Sequence, residues 1–284
     1  MNTAPSHSAT ARSVPFTSRL QLACVAASPA AVRAAIDAGA DWVRIPYRAA
    51  QSCSPALKND RSRQSIRYAH GRGRKLALDL HTAGRGLSWQ DCRNAVAWSA
   101  EQGFDAIALS DFTLGLYCAA RFPVLPLHFV ARPGVCARTA MLLRVQMNAA
   151  RVLVPDTLSV AQLVEIATKA DIEVEVVASG CTRVADVGLQ AHDSFSPERA
   201  SGDASCNDAC YSSGRHLAVS MQQLPLLASL GIRAIQVEPR NDIPDEVANV
   251  ARVWRTAIDR CLKDGDYYAA DPDWERLLGP RRKL

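Results

Sequence analysis

From Arg19 onward the chain alternates short apolar runs with longer stretches in which apolar positions recur every three or four residues, the periods of buried strands and amphipathic helices. Leu20–Val25 reads as a strand, Pro29–Ala38 as a helix with Ser28 at its N-cap and Gly39 as its stop, and Trp42–Tyr47 as the next strand. The unit then repeats. A helix over 62–70 leads to strand Lys75–Leu80, helix Ser88–Gln102 to strand Phe104–Leu109, and helix 112–121 to strand Leu125–Val130. Beyond a helical stretch at Ala140–Met147 come strand Val152–Val154, helix Ser159–Lys169 and strand Ile172–Ala178. Helix Met221–Leu230, strand Ile232–Val237 and helix Pro244–Leu262 complete the pattern.

Eight apolar strands separated by helices predict a parallel sheet, and eight is the number that closes one into a TIM-like (β/α)8 barrel. An open doubly wound sheet is the alternative, because periodicity fixes the type of an element better than its neighbours. Residues 1–18 are rich in Ser, Thr, Ala and Pro and hold no carboxylate, the first being Asp37; a disordered tail is expected there. Arg12 is the only arginine of those residues, which argues against a mitochondrial presequence. The barrel is assigned to 19–263 as a single domain. Residues 264–284, with Tyr267, Tyr268, Trp274 and a basic end, form a C-terminal extension expected to wrap its outside.

Composition narrows the class. With 284 residues, 48% of them hydrophobic and 21% charged, the chain has enough apolar material for one large core and is neither disordered nor a small disulfide scaffold. Its 9 cysteines are odd in number and scattered, and no hydrophobic signal segment is evident, so reduced thiols and a cytoplasmic location are expected. No apolar run approaches the roughly 20 residues of a membrane helix. The net charge of +5 comes from arginines spread along the chain, with a local cluster at Lys58–Arg74. A solvated helix face explains that cluster most simply; RNA or another anionic ligand is the alternative.

The connection Cys181–Ser220 is the anomaly. Loops longer than about 12–15 residues are uncommon in compact domains and are usually functional. This one carries Cys181, Cys206 and Cys210 among Gly, Ser and Asp, with too little apolar content to order itself. Cys206 and Cys210, separated by three residues, can reach one metal from a single turn. Cys181 follows strand Ile172–Ala178 and Cys53 follows strand Trp42–Tyr47, so a parallel barrel would bring all four thiolates to the face where such folds keep their sites. Four thiolates suit an iron–sulfur cluster or structural zinc. Cys24 and Cys136, also at or after strand ends, are alternatives to Cys53. Cys92, Cys118 and Cys261 fall in helices and read as small core residues.

Several segments carry a resemblance. The opening Leu20–Val43, with its small-residue turn and Ala-Ala-Ile-Asp-Ala-Gly-Ala-Asp-Trp-Val run, Arg151–Leu163, Ile235–Arg240 and Val250–Cys261 are similar to segments of the collagenase-like peptidase family, and most similar to its ubiquinone-biosynthesis branch. The resemblance extends from about Arg19 to Gly279. It implies a 4Fe-4S cluster on Cys53, Cys181, Cys206 and Cys210, with zinc as the alternative. It further implies oxygen-independent hydroxylation of a ubiquinone precursor, a small aromatic or prenylated molecule, by one subunit of a heteromer whose partner is a homologous barrel chain. Related members that support RNA-base hydroxylation supply a second expectation. Pro239 stands where the family has glycine, and Asp156 where it commonly has arginine; Glu238 and Arg240 match the family strand and are weak catalytic candidates, with a barrel-end salt bridge as the plainer role.

His81 and His128 lie near predicted strand ends and are candidates for proton transfer at the barrel mouth, or else hydrogen-bonded barrel residues. Peptidase activity is disfavoured: there is no Gly-x-Ser-x-Gly and no His-Glu-x-x-His, and the six histidines are scattered. A non-enzymatic partner subunit ordered by zinc is the remaining possibility.

Overall fold

The computed structural model describes residues 20–47, 55–81, 87–155, 158–178 and 219–278. Along them run β1 (Gln21–Val25), α1 (Pro29–Asp37), β2 (Trp42–Pro46), α2 (Pro55–His70), β3 (Lys75–Asp79), α3 (Trp89–Gln102), β4 (Ala106–Leu109) and α4 (Phe112–Arg121). The second half continues with β5 (Leu127–Val130), α5 (Ala137–Met147), β6 (Ala149–Val154), α6 (Val160–Lys169), β7 (Glu173–Val177), α7 (Leu224–Ser229), β8 (Ala234–Val237), α8 (Pro244–Asp264) and α9 (Pro272–Leu277). All neighbouring strands pair in parallel. β8 also pairs with β1, Gln21 to Ala234 through Cys24 to Val237, so the sheet is a closed (β/α)8 barrel and not an open one.

Local chemistry sets the element ends. Ser88 and Ser159 form capping boxes with Asp91 and Gln162, while the Ser28 and Asp111 side chains accept the backbone N–H groups of Ala31 and Leu114. Gly39 ends α1 at φ +100, where a Cβ would also stand 2.7 Å from Cγ of Arg255 on α8. On α8, Val247, Val250, Ala251, Trp254, Ala257, Ile258 and Cys261 are buried at helical spacing. Each large one contributes roughly 1.5–3 kcal/mol by leaving water. The sheet's outward side chains and the helices' inward stripes thus share one core.

Two elements depart from the sequence reading. α2 begins at Pro55, not at 62, because between Leu57 and Ile66 it has no apolar residue for periodicity to detect. The helix expected at Met221–Leu230 is divided into a 3-10 turn at Met221–Gln223 and α7, since Pro225 has no N–H to continue the ladder and fits only a helix's first turn. Trp274 is buried, and Arg260 of α8 lies over its ring at 5.3 Å, which seats the C-terminal helix on the barrel's outside. Among the described residues no helix is long and apolar enough to cross a membrane.

Candidate active site at the barrel mouth

Alternation along the strands sends every second side chain into the barrel, and the register stacks these in layers of four drawn from alternate strands. The lowest of three central layers holds Trp42, Ala106, Arg151 and Ala234. The middle one holds Ala23, Ala77, His128 and Glu175, and the upper one Arg44, Ala108, Leu153 and Gln236. Above them, at the C-terminal face, come Val25, Asp79, Val130 and Val177. An ordinary barrel fills these layers with branched apolar residues. Here three adjoining layers carry charge.

Glu175 is the hub. Its carboxylate, fully buried, accepts from Nη2 of Arg44 at 2.9 Å and from Nη1 of Arg151 at 3.1 Å, and both arginines are equally buried. Burial alone pushes the Glu175 carboxyl up, but the two guanidinium charges and their hydrogen bonds hold it below the ordinary value. Arg151 also donates to Glu173 at 2.7 Å and to Gln21 at 2.7 Å. Arg44 has no such second acceptor among the described residues, where its Nη1 is buried without a hydrogen-bond partner, one layer below the mouth.

His128 is not at the mouth, where the sequence reading placed it. Alternation along β5, with Leu127 and Phe129 outward, turns its ring into the middle layer, the barrel-interior alternative, 4.9 Å from Trp42 in an edge-on contact. Burial, and then the charges of Arg44, Arg151 and Lys75, push its pKa well below the ordinary value, so the imidazole is neutral. Its Nδ1 makes no hydrogen bond. His81, two residues beyond β3, does stand at the C-terminal face, where its backbone N–H donates to Asp79 at 2.8 Å.

At the mouth, Gln236 of the upper layer donates through Nε2 to Glu238 at 2.6 Å, linking barrel interior to rim. Glu238 is half-buried and Arg240 exposed. Asp242 accepts the backbone N–H groups of Ala27 and Ser28, both at 2.6 Å, and so ties the turn after β8 to the turn after β1. Asp79, Gln236 and Glu238 thus offer a substrate acceptors and an amide, with the Arg44 guanidinium beneath.

Cys53, Cys181, Cys206 and Cys210 lie outside the described residues. The residues that lead toward them, Tyr47 after β2 and Ala178 and Val219 after and before the long connection, stand at the C-terminal face, where Ala178 and Val219 bridge in parallel. A set of four thiolates is the donor chemistry of a cubane cluster. Among the described residues, no three His, Cys, Asp or Glu side chains converge on a metal position. Cys24 is removed as an alternative ligand, because it points out of the barrel into the sheet–helix core and is fully buried. Cys136 is exposed at the N-cap of α5, with its thiol near Thr139. Cys92, Cys118 and Cys261 are buried in helices, as expected; burial pushes Cys118 up to about 12 and Cys261 to about 11.

The basic cluster divides in two. Arg72 pairs with Asp37 and stacks on Tyr68, Arg74 pairs with Asp41, and His70 with Asp105, all at or near the end of the barrel opposite the mouth. Arg61, Arg63 and Arg67 are exposed on α2. The sequence reading missed Arg44, Arg151, Glu175 and Gln236. The signal was present: charges at alternate positions in Trp42-Val-Arg-Ile, Ala150-Arg-Val-Leu and Glu173-Val-Glu-Val, within strands that a barrel buries on both faces.

Residues 27–281 match the sequence profile described as Peptidase family U32. The chain is 22% identical over 249 residues to tRNA hydroxylation protein P2 of Bacillus subtilis (strain 168), covering 75% of this chain and 78% of that protein. Among solved structures it resembles thiamine phosphate pyrophosphorylase from Pyrococcus furiosus, with a TM-score of 0.52, 10% identity and coverage of 85% and 96% of the two chains. It also resembles oxaloacetate acetylhydrolase, with a TM-score of 0.51, 11% identity and coverage of 93% and 91%. At these identities the two structures share the barrel with this chain and nothing more.

Proposed function

The chain belongs to peptidase family U32, and we propose that it takes part in oxygen-independent hydroxylation of a small aromatic substrate, a ubiquinone precursor, as one subunit of a heteromer. The observation that carries hydroxylation is the relative named for it, aligned over three quarters of this chain. Cys53, Cys181, Cys206 and Cys210 would hold a 4Fe-4S cluster, which when bound supplies one-electron chemistry at the mouth. This chain's own residues bind and orient. Arg44, fixed by Glu175, presents a dry donor to a phenolate or carboxylate oxygen, while Gln236 and Glu238 offer a donor–acceptor pair at the rim. Neutral His128 lies one layer too deep to meet substrate directly. Peptidase chemistry has little support, since the buried helix thiols are pushed up and make poor nucleophiles.

A second reading, hydroxylation of an RNA base, is favoured by the tRNA in that relative's name. It would use Arg61, Arg63 and Arg67, which are exposed along α2. Anaerobic purification with iron, sulfide and zinc analysis tests the cluster; about four irons per chain are expected. Stoichiometric zinc without iron would sink it. Mass spectrometry of quinones and of tRNA nucleosides from a deletion strain separates the substrates: an accumulated unhydroxylated quinone precursor with unchanged tRNA supports the first reading, and the converse the second.

A further inference from the structure

The outer wall formed by α4 and α5 is apolar where a solvated wall is polar. On α5, Ala137, Ala140, Leu143 and Met147 face the core, yet Met141, Leu142 and Val145 on the opposite side are exposed, Val145 at 79%. A helix apolar on both sides is one whose second side is also covered. Phe112 and Leu116, one turn apart on α4, and Val124 in the following loop, exposed at 92%, carry the same character onto the neighbouring helix. At the C-terminal ends of the two helices, against the loop that follows α4, lies a groove of about 140 Å³ lined by Cys118, Phe122, Val124, Arg144 and Met147. At Gly115 a Cβ would stand 2.5 Å from Sδ of Met147, so the Met147 side chain packs against bare α4 backbone there.

The charge around this wall has one sign. From Phe112 to Pro155 the chain has no Asp, Glu or Lys, but has Arg121, Arg132, Arg138 and Arg144, all exposed, besides Arg151 inside the barrel. The bordering carboxylates are engaged: Asp111 caps α4 and Glu165 pairs with Lys169. Aromatic, Met and Arg side chains without Lys, Asp or Glu are the composition of a protein–protein interface core. A polybasic membrane surface draws on lysine as well as arginine. A second copy of this chain, set symmetrically on the face, would bring arginines against arginines.

We infer that the α4–α5 wall docks a different protein chain, one that offers an apolar side chain to the groove between Cys118 and Met147 and surrounds it with carboxylates that meet Arg121, Arg138 and Arg144. The inference stands on the wall itself and does not depend on the hydroxylation reading.

A photo-crosslinking residue placed at Val145, and as a control at the exposed Arg252 of α8, tests it in the cells that make the protein. One protein should be captured from Val145 and not from Arg252, with the crosslinked peptide, mapped by mass spectrometry, bearing carboxylates. With that protein purified, Leu142→Glu with Val145→Glu should weaken binding by at least about thirtyfold, the effect of losing an interface hot spot. Arg138→Glu with Arg144→Glu should weaken it and flatten its salt dependence. Iron content, measured in the same variants, should not change, so a lost partner is distinguished from a lost cluster. The inference is overturned by self-crosslinking with dimeric sedimentation, by cosedimentation of the purified chain with phosphatidylglycerol vesicles, or by equal capture from the two positions.

Discussion

Replacing Glu175 by Gln is the sharpest probe of the charged barrel interior. The substitution keeps the side chain's size, removes its charge, and turns one acceptor oxygen into an NH₂ group that faces a guanidinium. Arg151 has Glu173 and Gln21 to fall back on, at 2.7 Å each. Arg44 does not: it is 1% exposed, its Nη2 is spent on Glu175 and its Nη1 already lacks a partner. The variant therefore strands a buried charge, a change that costs about 3–5 kcal/mol. In urea denaturation, with a slope of about 3 kcal/mol per M, the midpoint should fall by roughly 1–1.7 M. Arg44→Met combined with Glu175→Gln removes the stranded charge and should cost less than the two single changes summed. Glu175 has a lowered pKa, so its contribution is present above the unfolded value near 4.3 and is lost as pH falls through the folded one; the gap between wild type and variant should close in acid. A midpoint shift below about 0.3 M, with additive single variants, would show that the arginines find other compensation and refute the hub.

Because His128 is held neutral, below about pH 6.5 the unfolded chain takes up a proton that the folded chain refuses, and stability should fall with pH there; in His128→Leu that part of the slope should vanish from unfolding curves. Cys53→Ala, Cys181→Ala, Cys206→Ala or Cys210→Ala should each remove most bound iron, whereas Cys24→Ala and Cys118→Ala should retain it and lose only about 1 kcal/mol of packing in a melt. Iron retained in Cys53→Ala but lost in Cys136→Ala would move the fourth ligand to the loop before α5. Asp242→Ala should free the N–H groups of Ala27 and Ser28 and speed their hydrogen exchange, while amides in the middle of β5 stay protected.

The barrel was legible because its strands are apolar on both faces and its helices carry a stripe, so element types and order follow from period alone. Capping residues such as Ser28, Ser88 and Ser159 placed helix starts within a residue. The start of α2 is hidden because no apolar residue falls between Leu57 and Ile66. The site was less legible. Arg44 and Glu175 are 131 residues apart, on strands that meet only across the closed barrel, and Arg151 and Glu175 are 24 apart, on neighbouring strands. His128 reads as a rim candidate from its nearness to the strand end, but β5 continues to Val130, which takes the mouth layer and leaves His128 deeper on the same inward face. Cys24 likewise read as a rim residue, until alternation across β1 sent it to the helix side.

The bond from Ala27 to Asp242 joins groups 215 residues apart. A ribosome adding about 5–20 residues per second delivers the second group roughly 10–40 s after the first. Throughout that interval the nascent β1 has a vacant edge, since its partner β8 has not been made, and the arginine at position 44 waits for the carboxylate at 175 with water as its only ligand. Such long-range closure makes for slow folding and a long exposure of pairable strand edges. The same register that builds a charged interior in the finished barrel thus makes its biosynthesis a natural client of the cell's holding chaperones.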